Sequence, residues 1–250
     1  MGSSYVVSDV HGHLDDLRGV LSDAGLAEGD RWVGGPSGDD ALWILGDLVD
    51  RGPDGIGVLR LVRALQEQAP ERVTMLLGNH EALMLGEKLF PDSRFSGVWL
   101  VNGGRFSDQE ALTDQDLAWV RSLPAMAIAG EDLLVHSDTT DYLGWGSSVD
   151  EVNATVAGLL GEDDPRRHFD VFATLTSRYD YVGPGGPAAA RRMLDTFGGS
   201  RLVHGHSIIG SLAGTASAQT TGPLSYADGL VLDIDGGRYD GGPLLLVRLS

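Results

Sequence analysis

The stretch VTMLLGNHEALML, residues 73–85, joins a short apolar run directly to a run with helical spacing. The helical pattern begins near Glu81, which places Gly78, Asn79 and His80 at the turn between strand and helix. Gly78 is expected to free the backbone for this sharp turn. An amide and an imidazole side by side are more than a turn needs. Because ligands of open α/β sheets bind beyond the carboxyl ends of the strands, this turn predicts a functional site.

The segments before this stretch show the same alternation of strand and helix. Strands are predicted at YVVSDVHG (5–12) and ALWILGDLVDRGPDG (41–55), helices at LDDLRGVLSDAGL (14–26) and GIGVLRLVRALQEQAP (55–70), and a loop at GDRWVGGPSGDD (29–40). With residues 73–85 this makes a βαβαβα series. Such a series is the signature of a mainly parallel sheet covered by helices.

The rest of the chain has more strands and a different rhythm. Helices are predicted at 114–124, 149–161 and 183–199, strands on either side of a turn at Gly130 within 126–137, a late strand within 200–207, and two strands meeting at a glycine-rich turn within 228–250. Two packed sheets with helices outside would accommodate both halves. No repeat or linker divides the sequence, so we expect a single domain over residues 1–250.

Composition and charge narrow the class of protein. The 250 residues are 42% hydrophobic and 22% charged, which is enough for a substantial core. The formal net charge of −18 repels phosphate backbones and anionic lipid, so neither nucleic acid nor membrane is an expected partner. The chain has no cysteine, which excludes thiolate chemistry. Residues 1–13 lack the pattern of a signal peptide, and a cytoplasmic enzyme is expected.

Polar side chains collect where the predicted strands end. These residues are Asp9 and His11, Asp47 and Asp50, Asn79 and His80, His136, and His206. Five strand ends that each offer Asp, Asn or His favour one shared site over five separate turns. Oxygen and imidazole ligands without sulfur suit Mn²⁺, Fe or Zn²⁺. Two ions about 3.5–4 Å apart make a phosphoester-hydrolysis site, and Asp47, central in the series, is the candidate bridge between them.

The order of these motifs resembles a known family. DVHG (9–12), GDLVDRG (46–52), GNHE (78–81), VHS (135–137) and GHS (205–207) occur in the order found in the calcineurin-like metallophosphoesterases. WLVNGG (99–104) and TSRYD (176–180) also resemble segments of the bacterial phosphoprotein-phosphatase branch, the Ser/Thr phosphatases of the PPP type. The resemblance covers residues 9 to about 207. It implies a four-layer αββα sandwich, in which two mixed β-sheets are flanked by helices.

The resemblance also assigns roles to individual residues. It implies Asp9, His11 and Asp47 as ligands of a first ion, Asp47, Asn79, His136 and His206 as ligands of a second, His80 as general acid, Asp50 as the carboxylate that orients it, and Arg51 and Arg178 as clamps on the substrate phosphate. The expected cofactor is two divalent ions, Mn²⁺ first and Fe or Zn²⁺ as alternatives.

The reaction implied is phosphomonoester hydrolysis by a hydroxide generated between the two ions. The substrate is either a protein phosphorylated on serine or threonine or a small phosphorylated metabolite. The alternative is a dinucleoside polyphosphate hydrolase, because that branch resembles this chain around GDLVDRGP (46–53). The usual motif of that branch lacks the aspartate found here at Asp50, and this difference favours a monoesterase. A remote alternative is a non-catalytic binding protein with the same fold. Residues 138–178 are expected to cover the site, and the sequence does not predict the oligomeric state.

Several other polar residues have a structural interpretation. His204 lies two residues before His206, so the strand period places both on one face, and a structural role for His204 is at least as well supported as one at the site. His13 is expected to cap or pack near the site, and His168 to lie at the surface. Asp233 and Asp235 are expected to serve a turn.

Overall fold

A computed structural model describes residues 2–91 and 93–249, and these residues form eleven strands, ten α-helices and three short 3₁₀ helices. The strands are β1 Ser4–Val7, β2 Ala27–Glu28, β3 Arg31–Trp32, β4 Ala41–Ile44, β5 Val73–Met75, β6 Met126–Ala129, β7 Asp132–Val135, β8 Arg201–His204, β9 Leu224–Tyr226, β10 Val231–Asp233 and β11 Leu246–Arg248. The helices are α1 Leu14–Asp23, α2 Gly55–Gln68, α3 Asn79–Leu89, α4 Arg94–Val101, α5 Phe106–Ala111, α6 Asp114–Arg121, α7 Val149–Gly161, α8 Pro165–Thr176, α9 Gly186–Phe197 and α10 Ile209–Ala213.

The larger strands form two mixed sheets. The first has the order β11-β1-β4-β5, in which β1, β4 and β5 are parallel and β11 is antiparallel to β1. The second has the order β6-β7-β8-β10-β9, with a parallel centre and antiparallel strands at both edges. β2 and β3 pair only with each other. The parallel strands of each sheet therefore end together, and those ends hold the candidate site.

The inner faces of the two sheets pack against each other. Val6 of β1 lies in one buried cluster with Leu134 of β7, Val203 of β8 and Leu232 of β10. The next residue along β1, Val7, belongs instead to the main core, where helix residues such as Leu17 pack. This alternation is the period of two that a strand imposes. It confirms the predicted fold class of two packed sheets between helices.

Helix α2 begins and ends where local sequence predicts, whereas no helix was predicted at α4, α5, α8 or α10. Asp54 caps α2 by accepting a hydrogen bond from the backbone N–H of Gly57 at 2.8 Å, and α2 ends two residues before Pro70. α2 packs on β5, and α9 packs on β8. Among the helices of residues 2–91 and 93–249, none has the length and apolar character needed to cross a membrane.

Two strand predictions are wrong. Residues 29–40 are not all loop, because Arg31–Trp32 pairs with Ala27–Glu28 in a small hairpin. The two strands predicted within 228–250 do not pair with each other. β10 is antiparallel to β9, and β11 is antiparallel to β1 in the other sheet. The glycine-rich segment between them crosses from one sheet to the other, which a local turn signal does not distinguish from a hairpin.

The segment 138–178 is mainly part of the helical layer. It contains α7 and α8, which pack on each other, and α8 packs along α3. His168, expected at the surface, is fully buried on α8 with its ring centroid 4.9 Å from that of Phe90. Its partners at helical spacing, Val171 and Phe172, are buried too. The helical period of this apolar face was the signal that would have placed His168 inside.

Candidate metal centre

The six residues predicted as metal ligands come together at the carboxyl ends of the strands. Asp9 and His11 follow β1, Asp47 follows β4, Asn79 begins α3 after β5, His136 follows β7, and His206 follows β8. All six are buried. Backbone hydrogen bonds join the loops after β1 and β4, including His11 N–H to Asp47 O at 2.9 Å. The first sheet thus supplies four of the residues and the second sheet two.

The ring of His11 is held so that one nitrogen faces the carboxylates. Its Nδ1 lies 2.8 Å from Val49 O, an arrangement that places the proton on Nδ1. Its Nε2 lies 3.6 Å from Asp47 Oδ2 and 4.0 Å from Asp9 Oδ1. Asp9 is itself held through Oδ2, which accepts hydrogen bonds from Ser8 Oγ and from His206 N–H. His11 Nε2 thus faces both carboxylates, but the close group of donor atoms here consists of His11, Asp47 and His80, and Asp9 lies outside it.

A second group of ligand atoms gathers around the other oxygen of Asp47. His136 Nδ1 lies 2.7 Å from Leu45 O, which leaves Nε2 facing Asn79 Oδ1 at 2.8 Å and Asp47 Oδ1 at 3.5 Å. His206 Nε2 lies 3.1 Å from Thr176 O, so Nδ1 is its free nitrogen. The two oxygens of Asp47 therefore face different clusters, as a bridging carboxylate requires.

The donor atoms fit two divalent cations. Ligand atoms of His11, Asp47 and His80 lie within 4.8 Å of one another, and so do those of Asp47, His136 and His206. Carboxylate, imidazole and amide donors suit Mn²⁺, Fe or Zn²⁺. Burial raises the pKa of Asp47 well above its ordinary value, and the neighbouring Asp9 raises it further. A divalent cation would favour the ionised form of this carboxyl.

The surroundings of the site histidines favour their neutral form. Burial lowers the pKa of His11, His136 and His206, and nearby histidines lower it further for His11 and His206. A neutral imidazole is the form that binds a metal ion, because the ligand nitrogen must carry a free lone pair. The protonation state that this environment imposes therefore agrees with ligand chemistry.

His80 has one bound and one free nitrogen. Its Nδ1 lies 2.7 Å from Asp50 Oδ2, whereas its Nε2 is buried without a hydrogen-bond partner among the described residues and lies 3.9 Å from Asp47 Oδ2. Burial raises the pKa of Asp50 to about 7, and the hydrogen bond from Trp99 lowers it. Burial, then Arg51, lowers the pKa of His80 well below its ordinary value. The predicted acid and its orienting carboxylate are thus in direct contact.

The two predicted phosphate clamps lie beside the cluster. Arg51 Nη1 is 3.0 Å from His11 Nε2, and its guanidinium carbon lies 3.9 Å from the ring centroid of Tyr239. The backbone N–H of Arg51 donates to Gly103 O at 2.9 Å. The charge of the exposed Arg178 lowers the pKa of His80 and of two predicted ligands, His136 and His206. Arg51 therefore contacts the candidate centre, and the positive charge of Arg178 acts on its histidines.

Sequence reasoning missed several residues that shape the site. Glu81 is fully buried and accepts hydrogen bonds from the backbone N–H groups of Asp47 at 2.8 Å, Leu48 at 2.7 Å and Gly78 at 3.1 Å. Burial raises its pKa to about 7, and two of these N–H groups lower it. Trp99 Nε1 donates to Asp50 Oδ1 at 3.0 Å. Glu81 lies in the motif GNHE and Trp99 in the motif WLVNGG. Their roles become visible only from these contacts in the structure.

The reason expected for Gly78 is wrong. Its backbone is extended (φ −92°, ψ 166°), a conformation open to any residue. The requirement is space, because a Cβ at this position would overlap the backbone nitrogen and Oδ1 of Asp47. Glycine therefore lets the loop after β5 approach the carboxylate of Asp47.

The remaining polar residues are structural. Both ring nitrogens of His204 are hydrogen-bonded, one to Tyr226 Oη and one to Gly205 O, at 2.7 Å each. Strand β8 ends at His204, so the strand period does not extend to His206. His13 makes no side-chain cap and instead lies 3.5 Å from Asp16. Asp233 and Asp235 each accept a hydrogen bond from the backbone N–H two residues later, forming turns as predicted.

Comparisons with known proteins point to one family. A sequence model described as calcineurin-like phosphoesterase matches residues 3–210. The symmetrical bis(5'-nucleosyl)-tetraphosphatase of Enterobacter sp. (strain 638) is 30% identical over 141 residues, which cover 53% of this chain and 41% of that protein. The protein of the same description from Aromatoleum aromaticum is 30% identical over 165 residues, covering 62% and 52%. The chain thus spans about half or less of these relatives' length.

Solved structures share the fold at low sequence identity. A cold-active protein-tyrosine phosphatase from a psychrophilic Shewanella species matches with a TM-score of 0.74 and 20% identity, covering all of this chain and 76% of that chain. A protein serine/threonine phosphatase from Saccharomyces cerevisiae matches with a TM-score of 0.60 and 16% identity, covering 94% and 67%. The matched residues include every motif from Asp9 to His206. The chain therefore belongs to the calcineurin-like phosphoesterase family.

Proposed function

We propose that this protein is a metal-dependent phosphatase that hydrolyses phosphomonoesters at a centre of two divalent ions. The observation that carries the proposal is the geometry of Asp47. Its Oδ2 faces His11 Nε2 at 3.6 Å and its Oδ1 faces His136 Nε2 at 3.5 Å, so one carboxylate addresses two ligand clusters. Two-ion sites of this kind are suited to displacement at phosphorus.

The first ion would be held by Asp9, His11 and Asp47, and the second by Asp47, Asn79, His136 and His206. When bound, such a pair brings the pKa of a water near neutrality and neutralises charge on the phosphoryl group. We propose Mn²⁺ as the physiological ion, with Fe and Zn²⁺ as alternatives that the same donors accept. We also propose that residues 1–250 act as one domain, because both sheets contribute to the centre.

The protein's own groups would bind the phosphate and supply a proton. The guanidiniums of Arg51 and Arg178 would pair with phosphate oxygens, for which their planar fork is matched. The charge of the bound phosphate favours the imidazolium of His80. Asp50 holds the Nδ1 proton, so the Nε2 proton is the one that His80 would donate to the leaving oxygen.

Two classes of substrate are candidates, and we favour the first. We favour a protein phosphorylated on serine or threonine or a small phosphorylated metabolite, as in the bacterial PPP-type branch, because the contact between Asp50 and His80 supplies a complete acid pair. Hydrolysis of a dinucleoside polyphosphate is the second candidate. It is supported by the relatives at 30% identity, which are described as symmetrical bis(5'-nucleosyl)-tetraphosphatases.

The test is activity of metal-stripped protein after addition of Mn²⁺. Three substrate classes are compared. The first is represented by a phosphoserine peptide together with an aryl phosphate, the second by a panel of sugar and nucleoside monophosphates, and the third by diadenosine tetraphosphate. Preference for any monoester supports the proposal and identifies its substrate class. Preference for diadenosine tetraphosphate establishes the second candidate, and no turnover with Mn²⁺, Fe or Zn²⁺ favours a non-catalytic binding protein.

The variant His80→Asn tests the proton donor. We expect kcat for a phosphoserine peptide to fall by about 10²–10⁴-fold, the usual contribution of general acid catalysis. The fall should be smaller for an aryl phosphate, whose leaving group needs less protonation. Calorimetry should show unchanged binding of Mn²⁺ if Asp9, His11 and Asp47 hold the first ion, whereas weaker binding would assign His80 to the cluster of His11 and Asp47 as a ligand. His13→Asn, a substitution outside the ligand clusters, is the matched control, and equal rates for His80→Asn and wild type would refute the assignment.

A further inference from the structure

The segment that carries Arg178 is fastened to the loop after β7. We call residues 177–181 the Arg178 segment and residues 138–140 the anchor. Within them, the backbone N–H of Tyr179 donates to Asp138 Oδ2 at 2.8 Å, and that of Asp180 donates to Asp138 O at 3.0 Å. The two segments are about forty positions apart in sequence, so these contacts are tertiary and not a local turn.

Asp180 adds a second set of contacts through a single oxygen. Its Oδ2 accepts hydrogen bonds from Thr139 Oγ1 at 3.0 Å, from the backbone N–H of Thr140 at 2.7 Å and from Thr140 Oγ1 at 2.8 Å. Tyr181 Oη also donates to Thr139 O at 2.7 Å. Every residue of the anchor is therefore bound to the Arg178 segment.

The backbone of the Arg178 segment needs such support. Tyr179, directly after Arg178, has φ +75°, a left-handed conformation that is unfavourable for a residue with a bulky side chain. A strained residue persists only where the surrounding contacts determine its conformation. Here those contacts are the two carboxylates, Asp138 on one side of the strained peptide and Asp180 on the other.

The anchor is also joined to the candidate metal centre. Asp138 is fully buried and follows His136 by two residues. Its Oδ1 accepts a hydrogen bond at 2.5 Å from the hydroxyl of Ser207, the residue after His206. One carboxylate thus connects the ends of β7 and β8, which carry two predicted ligands, with the segment that carries Arg178.

We propose that Asp138 and Asp180 are positioning residues that hold Arg178 at a fixed place beside the metal centre. Neither residue contacts the substrate in this proposal. They act through Arg178, by fixing the backbone on which its long, otherwise mobile side chain is mounted. The proposal rests on the proposed function, because it takes Arg178 as a phosphate clamp.

Two substitutions at Asp180 separate positioning from folding. Asp180→Ala removes the acceptor, whereas Asp180→Asn keeps one oxygen, and one oxygen accepts all three hydrogen bonds. The probe is inorganic phosphate, titrated into Mn²⁺-loaded protein by calorimetry, together with KM and kcat for an aryl phosphate. We expect Asp180→Ala to weaken phosphate binding and to lower kcat/KM by about 10- to 100-fold, as for a misplaced clamp.

Asp180→Asn should stay within about threefold of the wild type, because the amide oxygen can accept from the same donors. Asp141→Ala, an exposed aspartate beside the anchor, should change neither quantity. Thermal unfolding checks that each variant is folded. If Asp180→Ala does not fold, Thr140→Val replaces it, since that change removes one hydroxyl donor and leaves the backbone N–H.

The decisive measurement repeats the substitution in the Arg178→Ala background. If Asp180 acts through Arg178, its loss there should have no further effect on phosphate binding or kcat/KM. An effect of the same size in both backgrounds would overturn the proposal, as would wild-type phosphate binding in a folded Asp180→Ala. Because phosphate binding is measured without turnover, an inactive wild type would refute the proposed function and still leave this inference tested.

Discussion

At the scale of single residues, the backbone of the candidate centre is unusual. The residues with left-handed φ include Asp9, His11, Asp47, Asp50, Arg51 and His206, with φ between 44° and 67°. For a residue other than glycine such a conformation costs about 1–3 kcal/mol. It persists here because neighbours determine it, as Glu81 does for the loop of Asp47 by accepting two of its N–H groups. The fold itself therefore fixes the directions of the predicted ligands.

A residue-scale prediction concerns Trp99. The change Trp99→Phe removes the N–H that donates to the buried Asp50 Oδ1. A hydrogen bond to a carboxylate favours its ionised form, so its loss should raise the pKa of Asp50 beyond about 7. Since an ionised Asp50 is needed to orient His80, the acid limb of the kcat profile should move to higher pH. At pH 7 we expect kcat to fall by about sixfold, because a charged hydrogen bond of about 1.5 kcal/mol corresponds to about one pKa unit and the pKa of Asp50 starts at about 7.

The control for this prediction is Trp119→Phe. Trp119 also donates its indole N–H, to Gln66 Oε1 at 2.9 Å, and its partner is not a predicted site residue. Its pH profile should match that of the wild type. A profile for Trp99→Phe that falls in height without moving along the pH axis would show that the indole acts by packing alone.

At the scale of elements, the sequence predicts what depends on local pattern. The alternation up to α3 and the turn at Gly130 follow from the hydrophobic period and the turn residues. The same pattern predicted that the candidate ligands follow the ends of strands. The pairing of β10 and β11 with different sheets did not, because partner choice depends on contacts distant in the chain. The contact of Trp99 with Asp50 was not predicted for the same reason, because the two residues lie 49 positions apart in the sequence.

An element-scale prediction concerns the loop after β8. A Cβ on Gly205 would overlap Ser8 Oγ and Asp9 Oδ2, so the loops after β1 and β8 can meet only at a glycine. We expect Gly205→Ala to displace Asp9 and to weaken Mn²⁺ binding by at least tenfold, measured by calorimetry. Gly158→Ala is the matched control, because a Cβ there meets open space within α7. It should raise the free energy of unfolding by about 0.4–1 kcal/mol. Unchanged Mn²⁺ binding in Gly205→Ala would contradict the prediction.

At the scale of the whole molecule, the candidate centre joins the two sheets. His136, after β7, is 2.7 Å from Leu45 O, after β4, and His206 N–H donates to Asp9 Oδ2 at 2.8 Å. Ions bound between the two clusters would add a further connection across the same boundary. An ion present at 100 times its Kd stabilises a protein by about 2.7 kcal/mol, which is about 5–10 °C in Tm for a chain of this size. Stability and metal occupancy should therefore change together.

The buried acids give this coupling a dependence on pH. Burial raises the pKa of Asp50 and Glu81 to about 7 and that of Asp47 well above its ordinary value. The folded protein therefore binds protons that the unfolded chain has lost, and its stability falls as pH rises through these values. The buried histidines act in the opposite direction, because their pKa values are lowered, but their contribution ends once the unfolded chain has lost its protons, above about pH 6.5.

Above pH 6.5 only the buried carboxyl groups still make the stability depend on pH. The metal-free protein should therefore lose stability between pH 6.5 and 8. Mn²⁺ should reverse this trend, because a bound cation favours ionised carboxylates and its affinity rises as protons leave the ligands. The measurement is Tm across this range, once in EDTA and once in excess Mn²⁺. The difference between the two curves should widen with pH. A metal-free Tm that rises from pH 6.5 to 8, or a constant difference between the curves, would show that the carboxyl groups of the centre are ionised before any metal binds.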